Sequence, residues 1–182
     1  MSQIAAIEVE SSTGRTRHLL DGVKAKLGTV PNMMRVMANS EAVLQGYLGL
    51  SGALGTGLLN EKLRQELALV TAQSNGCDYC LSAHTLLGKT AGLADSEMVD
   101  ARTGTGIDER STAALRFATG VLKQKGQVSA GQLQAVRSAG FSEGEIAEII
   151  AHVALNVFTN YFNTIAQTDV DFPKTGKSVP RR

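Results

Sequence analysis

The chain has only two cysteines, no excess of either charge, no long apolar run and almost no strand-like alternation, and each of these shortages excludes a class of protein. Two cysteines cannot build the disulfide framework of a small secreted domain. Standing together in one short motif, they suit a reducing compartment, where a disulfide is transient and catalytic rather than structural. Eighteen Lys and Arg against seventeen Asp and Glu leave a net charge of +1, with no basic face for nucleic acid and no acidic tail. No stretch approaches the ~20 apolar residues that cross a bilayer, and the opening Met1–Glu8 lacks the basic start and apolar run of a secretory leader. The expectation is a soluble, cytoplasmic protein with neither a nucleic-acid nor a membrane partner. A chain of 182 residues can bury one good core but not two, so we read residues 1–182 as a single domain. The tail from about residue 173, with Pro173, Lys174, Lys177, Pro180, Arg181 and Arg182, is expected to fray.

What the sequence does have is helical punctuation: Ser, Asn or Asp before an apolar-periodic run, and Gly after it. A first helix runs from Arg15 to about Leu27 and stops at Gly28. Pro31 opens a short segment through Met34 and Met37, and Ser40 caps a run to about Leu54. Gly46, Gly49 and Gly52 weaken that third helix by ~1 kcal/mol each relative to alanine, which points to close helix packing. Asn60 caps a helix carrying Leu63, Leu67 and Val70. Ser74-Asn75-Gly76 breaks it, a new helix runs from Cys77 to about Leu87, and a short one starts at Asp95 and stops near Gly104. The second half adds helices over Asp108–Lys125, Ser129–Ala139 and Ser142–Gln167. The last opens on a capping box (Ser142, Glu145) and carries an apolar stripe of Ile146, Ile149, Ile150, Val153, Val157 and Phe158. The fold class is all-α, with about eight or nine helices. Glu66–Ala72 and Glu148–Ala154 resemble each other loosely, as a decayed helical repeat would.

Chemistry concentrates in Gly76-Cys77-Asp78-Tyr79-Cys80-Leu81-Ser82-Ala83-His84. On a helix, steps of three, four and seven residues return to one face, so both sulfurs and the imidazole converge. Redox work needs a nucleophilic sulfur, a second thiol to resolve its oxidised product, and a proton carrier; Cys77, Cys80 and His84 supply all three. A position in the first helical turn, where unpaired N–H groups favour a thiolate, selects Cys77 as the more acidic sulfur. Two other readings of the motif are apolar packing of small thiols and a zinc site completed by His84 and a distant His152. No second close ligand pair supports the latter.

The motif, together with Leu27-Gly28-Thr29-Val30-Pro31-Asn32-Met33-Met34 and the late Asn156–Asn163 segment, resembles the carboxymuconolactone decarboxylase superfamily in its alkylhydroperoxidase D (AhpD)-like branch. The likeness spans about Leu27 to Phe172. The true decarboxylases of the superfamily lack the cysteine pair, so the motif favours the peroxidase-like branch. The resemblance implies a compact helical domain assembled through its helices into trimers or hexamers, working without flavin, haem, metal or other cofactor. It implies that Cys80 attacks the peroxide and becomes a sulfenic acid, that Cys77 closes the disulfide, and that His84 relays protons with help from a glutamate twelve residues before the first cysteine. Here that position is Gln65, which cannot accept a proton, and Glu66 lies about 100° further around the helix. Either Glu66 is brought to the site, or Gln65 orients His84 or a water. Tyr79 stands where some relatives carry histidine, and its phenol can donate a hydrogen bond or simply pack.

The expected activity is thus a thiol-dependent peroxidase acting on organic or hydrogen peroxide, its disulfide re-reduced by a lipoyl or thioredoxin-like dithiol. The alternatives are a thiol-disulfide oxidoreductase or redox adaptor with weak peroxidase turnover, which Gln65 makes credible, and a non-enzymatic oligomeric binding module with an inert motif. His152, among Ile149, Ile150 and Val153, reads as a core or interface histidine bonded to backbone. Met33, Met34 and Met37 read as core, with a lining for an apolar peroxide as the minor reading. His18 reads as surface, and Tyr47 marks no substrate pocket. Asn156, Asn160 and Asn163 form a polar stripe that burial would force into interhelical hydrogen bonds.

Overall fold

A computed structural model describes residues 2–175, and among them the ordered elements are helical: a 3₁₀ turn, Val9–Ser11, and nine α-helices. These are α1 (Gly14–Leu27), α2 (Asn32–Met37), α3 (Glu41–Gly55), α4 (Glu61–Asn75), α5 (Asp78–Thr90), α6 (Asp95–Arg102), α7 (Glu109–Lys123), α8 (Ala130–Ser138) and α9 (Glu143–Ala166). Each expected helix is present, with ends shifted by three residues at most. Side-chain caps set the starts: Ser40 accepts from the Val43 N–H, Asn60 from Leu63, Asp108 from Ser111 and Ser142 from Glu145. Gly28 and Gly76 close α1 and α4 in the left-handed conformation, which glycine adopts without a Cβ clash. Most of the expected tail lies outside the described residues. None of the described helices is long and apolar enough to cross a membrane.

The organising element is α4. From Glu66 to Ala72 every side chain is buried, the pattern of a helix enclosed on all sides, and α5, α6, α7 and α9 pack around it. Leu67 and Leu69 are fully buried beside Leu81, Leu115 and Ile149, each contributing roughly 1.5–3 kcal/mol of apolar burial. The two look-alike segments lie on α4 and α9, which pack against each other, and their glutamates do similar work. Glu66 Oε1 accepts the Ile107 N–H at 2.9 Å, in the loop before α7. The Glu148 carboxylate accepts the N–H groups of Leu58 at 2.8 Å and Leu59 at 3.1 Å, in the loop before α4.

Two expectations need correction. Gly46, Gly49 and Gly52 do not sit in a tight helix contact: a Cβ added to any of them would meet nothing within 4 Å. Gly46 and Gly49 face solvent, and Gly52 lines a cavity. The stripe on α9 is also narrower than the sequence suggests. Ile146, Ile149 and Val153 are buried, whereas Ile150 and Phe158 are exposed; period alone cannot separate the core face from an adjoining apolar flank.

Near the limits of the described residues, one segment bonds to the end of α9 and the other passes α2 to reach the start of α5. The Gln3 N–H reaches the Ala166 carbonyl at 2.7 Å. Asn32 donates from its backbone N–H to the Asp171 carboxylate at 2.7 Å and from its amide to the Asp169 carbonyl at 3.0 Å. This brings Phe172 edge-on to Tyr79, with ring centroids 5.4 Å apart.

Candidate active site

Gly76 turns the chain out of α4 and Cys77 starts α5 as its N-cap, its sulfur accepting the Cys80 N–H at 3.2 Å. Cys80 follows within the first turn and is joined to Cys77 by a disulfide, so the two sulfurs meet as the spacing requires. Both residues are buried, but they face differently. Cys80 lines a cavity of about 860 Å³, and Cys77 is not among the lining residues.

His84 lies one turn beyond Cys80 and lines the same cavity. Its Nδ1 is 2.9 Å from Gln65 Oε1. In the assigned amide orientation the oxygen can only accept, so the ring proton sits on Nδ1 and Nε2 carries the lone pair. The ring is part-buried on the cavity wall, and this burial, reinforced by the neighbouring His152, lowers its pKa to about 4. At neutral pH His84 is therefore an uncharged imidazole that can accept a proton.

Gln65 thus joins the cluster and Glu66 does not. The Glu66 carboxyl points to Ile107, and burial holds its pKa above the ordinary carboxylate value. The one-residue step around α4 sends the two side chains to different neighbours, as helix geometry demands. Tyr79 is buried beneath Phe172, its hydroxyl accepting the Met33 N–H at 3.1 Å; burial raises its pKa. Among the described residues no three His, Cys, Asp or Glu side chains gather as metal ligands.

The cavity also collects residues that sequence reasoning undervalued. Two of the three stripe asparagines make the interhelical bonds that burial predicts, Asn160 with Asn75 at 3.0 Å and Asn163 Nδ2 with Cys80 Sγ at 3.5 Å, whereas Asn156 donates to the His152 carbonyl of its own helix at 2.8 Å. The Asn163 contact gives the Cys80 sulfur a donor from α9. His152 is buried and lines the cavity, and its Nε2 has no hydrogen-bond partner. Burial and the nearby Arg64 hold its pKa below the usual histidine value. Met33, Met34 and Tyr47 line the wall, and the exposed His18 borders the space. The polar stripe on an otherwise apolar helix was the one signal in the sequence for Asn163. His152 reads in the sequence as a core or interface histidine or a distant zinc ligand, because its apolar neighbours there carry no sign of a cavity.

The two imidazoles make stability pH-dependent. Folding depresses both pKa values, so from an unfolded value near 6.5 down to about 4 the unfolded chain binds protons that the folded chain does not. Stability is complete above that window and falls as pH drops through it, His84 contributing on the order of 2–3 kcal/mol. Urea denaturation at pH 7 and pH 4.5 should show this loss, and His84→Gln should shrink it. An equal loss in the variant would assign the effect to other groups.

Comparison with known proteins agrees with the fold. The carboxymuconolactone decarboxylase family model matches residues 41–124, a segment holding Gln65, Cys77, Cys80 and His84. No curated protein matches the sequence. Among solved structures, an AhpD-core, uncharacterized peroxidase-related protein from Ralstonia eutropha superposes with a TM-score of 0.84 at 22% identity, over 93% of this chain and 92% of that one. A peroxidase-related protein from a Silicibacter species gives 0.78 at 20% identity, over 92% of each chain. The debrominase Bmp8, solved with 2,3,4-tribromopyrrole, gives 0.78 at 18% identity, over 92% and 91%. The fold is AhpD-like.

Proposed function

We propose that this chain, a carboxymuconolactone decarboxylase family member with the AhpD-like fold, is a thiol-dependent peroxidase that cycles Cys80 and Cys77 between dithiol and disulfide. The observation that carries the reading is the bonded cysteine pair, with Cys80 on the cavity wall one turn from a neutral imidazole. In the reduced protein His84 Nε2 takes the Cys80 proton. The thiolate attacks the terminal peroxide oxygen, the O–O bond breaks, and the leaving alkoxide takes that proton back to become an alcohol. The Cys77 thiol then attacks the Cys80 sulfenic acid, forming the S–S bond and releasing water. An external dithiol, lipoyl or thioredoxin-like, returns both cysteines to thiols. In sum, hydroperoxide and dithiol become alcohol, water and disulfide.

The test is mass spectrometry of the reduced protein after one equivalent of organic hydroperoxide. The expected result is loss of two hydrogens localised to the peptide spanning Cys77 and Cys80, with one equivalent of alcohol formed; a mass that does not change would sink the reading. Gln65 favours a second reading, a thiol-disulfide oxidoreductase or redox adaptor with slow peroxide turnover. That protein would exchange disulfides with a dithiol at full rate while leaving the hydroperoxide almost untouched. A non-enzymatic binding module would leave both thiols inert to alkylation.

Assembly belongs to the same proposal. The outer flank of α9 exposes Ile150, Phe158, Tyr161 and Ile165, at helical steps that make one continuous apolar strip. A second copy of the chain is the natural cover for a strip of this kind, in line with the trimers or hexamers that the family likeness implies.

A further inference from the structure

The cavity is far larger than a small peroxide needs. Its volume is about 860 Å³, in the range of pockets for drug-sized ligands, whereas a water molecule takes roughly 30 Å³ of liquid. Its walls are mostly apolar, with Val23, Met33, Met34, Leu48, Leu155 and Phe172 among them.

Apart from the Gln65–His84 pair, two separate places on its wall hold polar atoms without a protein partner. One is the sulfur of Cys80 with Asn163, whose Oδ1 is buried and without a partner. The other is Arg64 with His152. Arg64 Nη1 donates to the carbonyls of Gly55 and Leu59, both at 3.0 Å. Among the described residues its Nε and Nη2 have no protein partner, and it forms no ion pair. His152 Nε2 is buried and equally unpartnered. The buried atoms, Asn163 Oδ1 and His152 Nε2, are costly unless something meets them, and Arg64, half-buried, has N–H groups free to meet a ligand. The two places are eleven residues apart on α9, on the order of 16 Å at 1.5 Å per residue.

Two cations, Arg64 and Lys26, line the cavity around the second place, with Glu148 as the carboxylate whose charge reaches His152. Glu61 is the only carboxylate among the lining residues and is exposed to water. Glu148, one turn before His152, has its oxygens held by the Leu58 and Leu59 N–H groups, which turns them away from a ligand but leaves their charge in place. Lys26 lines the same space from α1.

We propose that the substrate is an anionic amphiphile: a long-chain hydroperoxide bearing a carboxylate, with its peroxide at Cys80 and Asn163 and its carboxylate on Arg64 and His152. The chain between the two groups lies along the apolar wall. The peroxide O–H donates to Asn163 Oδ1, and the carboxylate takes charge-assisted hydrogen bonds from the guanidinium and the imidazole N–H. Turnover of this substrate rests on the peroxidase reading, but its binding does not.

The test compares linoleate hydroperoxide with its methyl ester, identical in chain and peroxide and different only in charge. Dihydrolipoamide serves as reductant in the kinetics, and titration calorimetry follows binding of linoleate and methyl linoleate to the native protein. We expect the acid to have a KM about tenfold or more below that of the ester, and linoleate to bind tighter than its ester by a similar factor. In Arg64→Met the ratio of the two KM values should collapse toward one, and Arg64→Lys should restore part of it. Because Arg64 also holds two carbonyls, the comparison in the native protein decides if the variant misfolds. Equal KM and equal affinity for acid and ester would overturn the inference and leave the peroxidase reading standing. Turnover of neither hydroperoxide, with linoleate still preferred over its ester, would overturn the peroxidase reading and support the anionic site.

Discussion

Cys80→Ser is expected to abolish peroxide consumption, lowering turnover by at least about a thousandfold, because a serine hydroxyl at neutral pH offers almost no anionic nucleophile. Cys77→Ser should behave differently. The first chemical step survives, no resolving thiol follows, and a sulfenic acid accumulates on Cys80, where dimedone traps it. The asymmetry is worth measuring because two physical arguments disagree. The N-cap position of Cys77 places its sulfur closest to the unpaired N–H groups that favour a thiolate. Access to the cavity belongs to Cys80, and so does the donor of Asn163, which compensates in part for the helix-end advantage of its neighbour. A nucleophile must be reachable before its acidity matters, so Cys80 is expected to react first. Dimedone found on Cys77 in the Cys80→Ser protein, with peroxide consumed at the native stoichiometry, would reverse the assignment.

The fold and the meeting of the two cysteines were legible in the sequence because both rest on local rules. Caps such as Asn60 and Ser142 and the left-handed stops at Gly28 and Gly76 act within a few residues of themselves, and C-x-x-C followed by histidine four residues on is a statement about one helix. What could not be read depends on which helix lies opposite. Gly46, Gly49 and Gly52 signal weak helix propensity but not whether a neighbour fills the gap, and here none does. Asn163 and His152 belong to α9 and reach the site only because α4 and α5 pack against it. Gln65 is the intermediate case. The family likeness, which puts a glutamate twelve residues before the first cysteine, located it, but whether the amide would meet His84 depended on the crossing of α4 with α5, which places the two side chains 2.9 Å apart.

That contact sets up the second large effect. His84→Phe should lower kcat/KM for hydroperoxide by about 10²–10⁴-fold, the usual contribution of a positioned acid-base group, while leaving the disulfide able to form. Gln65→Glu tests how the imidazole is tuned. An amide oxygen accepts the Nδ1 proton without adding charge, so nothing offsets the burial that lowers the pKa to about 4. A carboxylate in the same place favours the charged ring and raises that value. The sign of the change follows. In the native protein His84 stays neutral until the pH falls close to 4, so it sets no acid limb near neutrality. In Gln65→Glu the ring takes up its proton at higher pH and the acid limb of kcat/KM moves upward. At pH 7 to 8, where the ring is still neutral but more basic, the variant should be several-fold faster, because proton acceptance improves as the pKa approaches the working pH. The pH profiles of native protein and variant check this directly. An unmoved acid limb, or a His84→Phe protein within threefold of native activity, would remove the imidazole from the mechanism and leave the sulfurs to act without it.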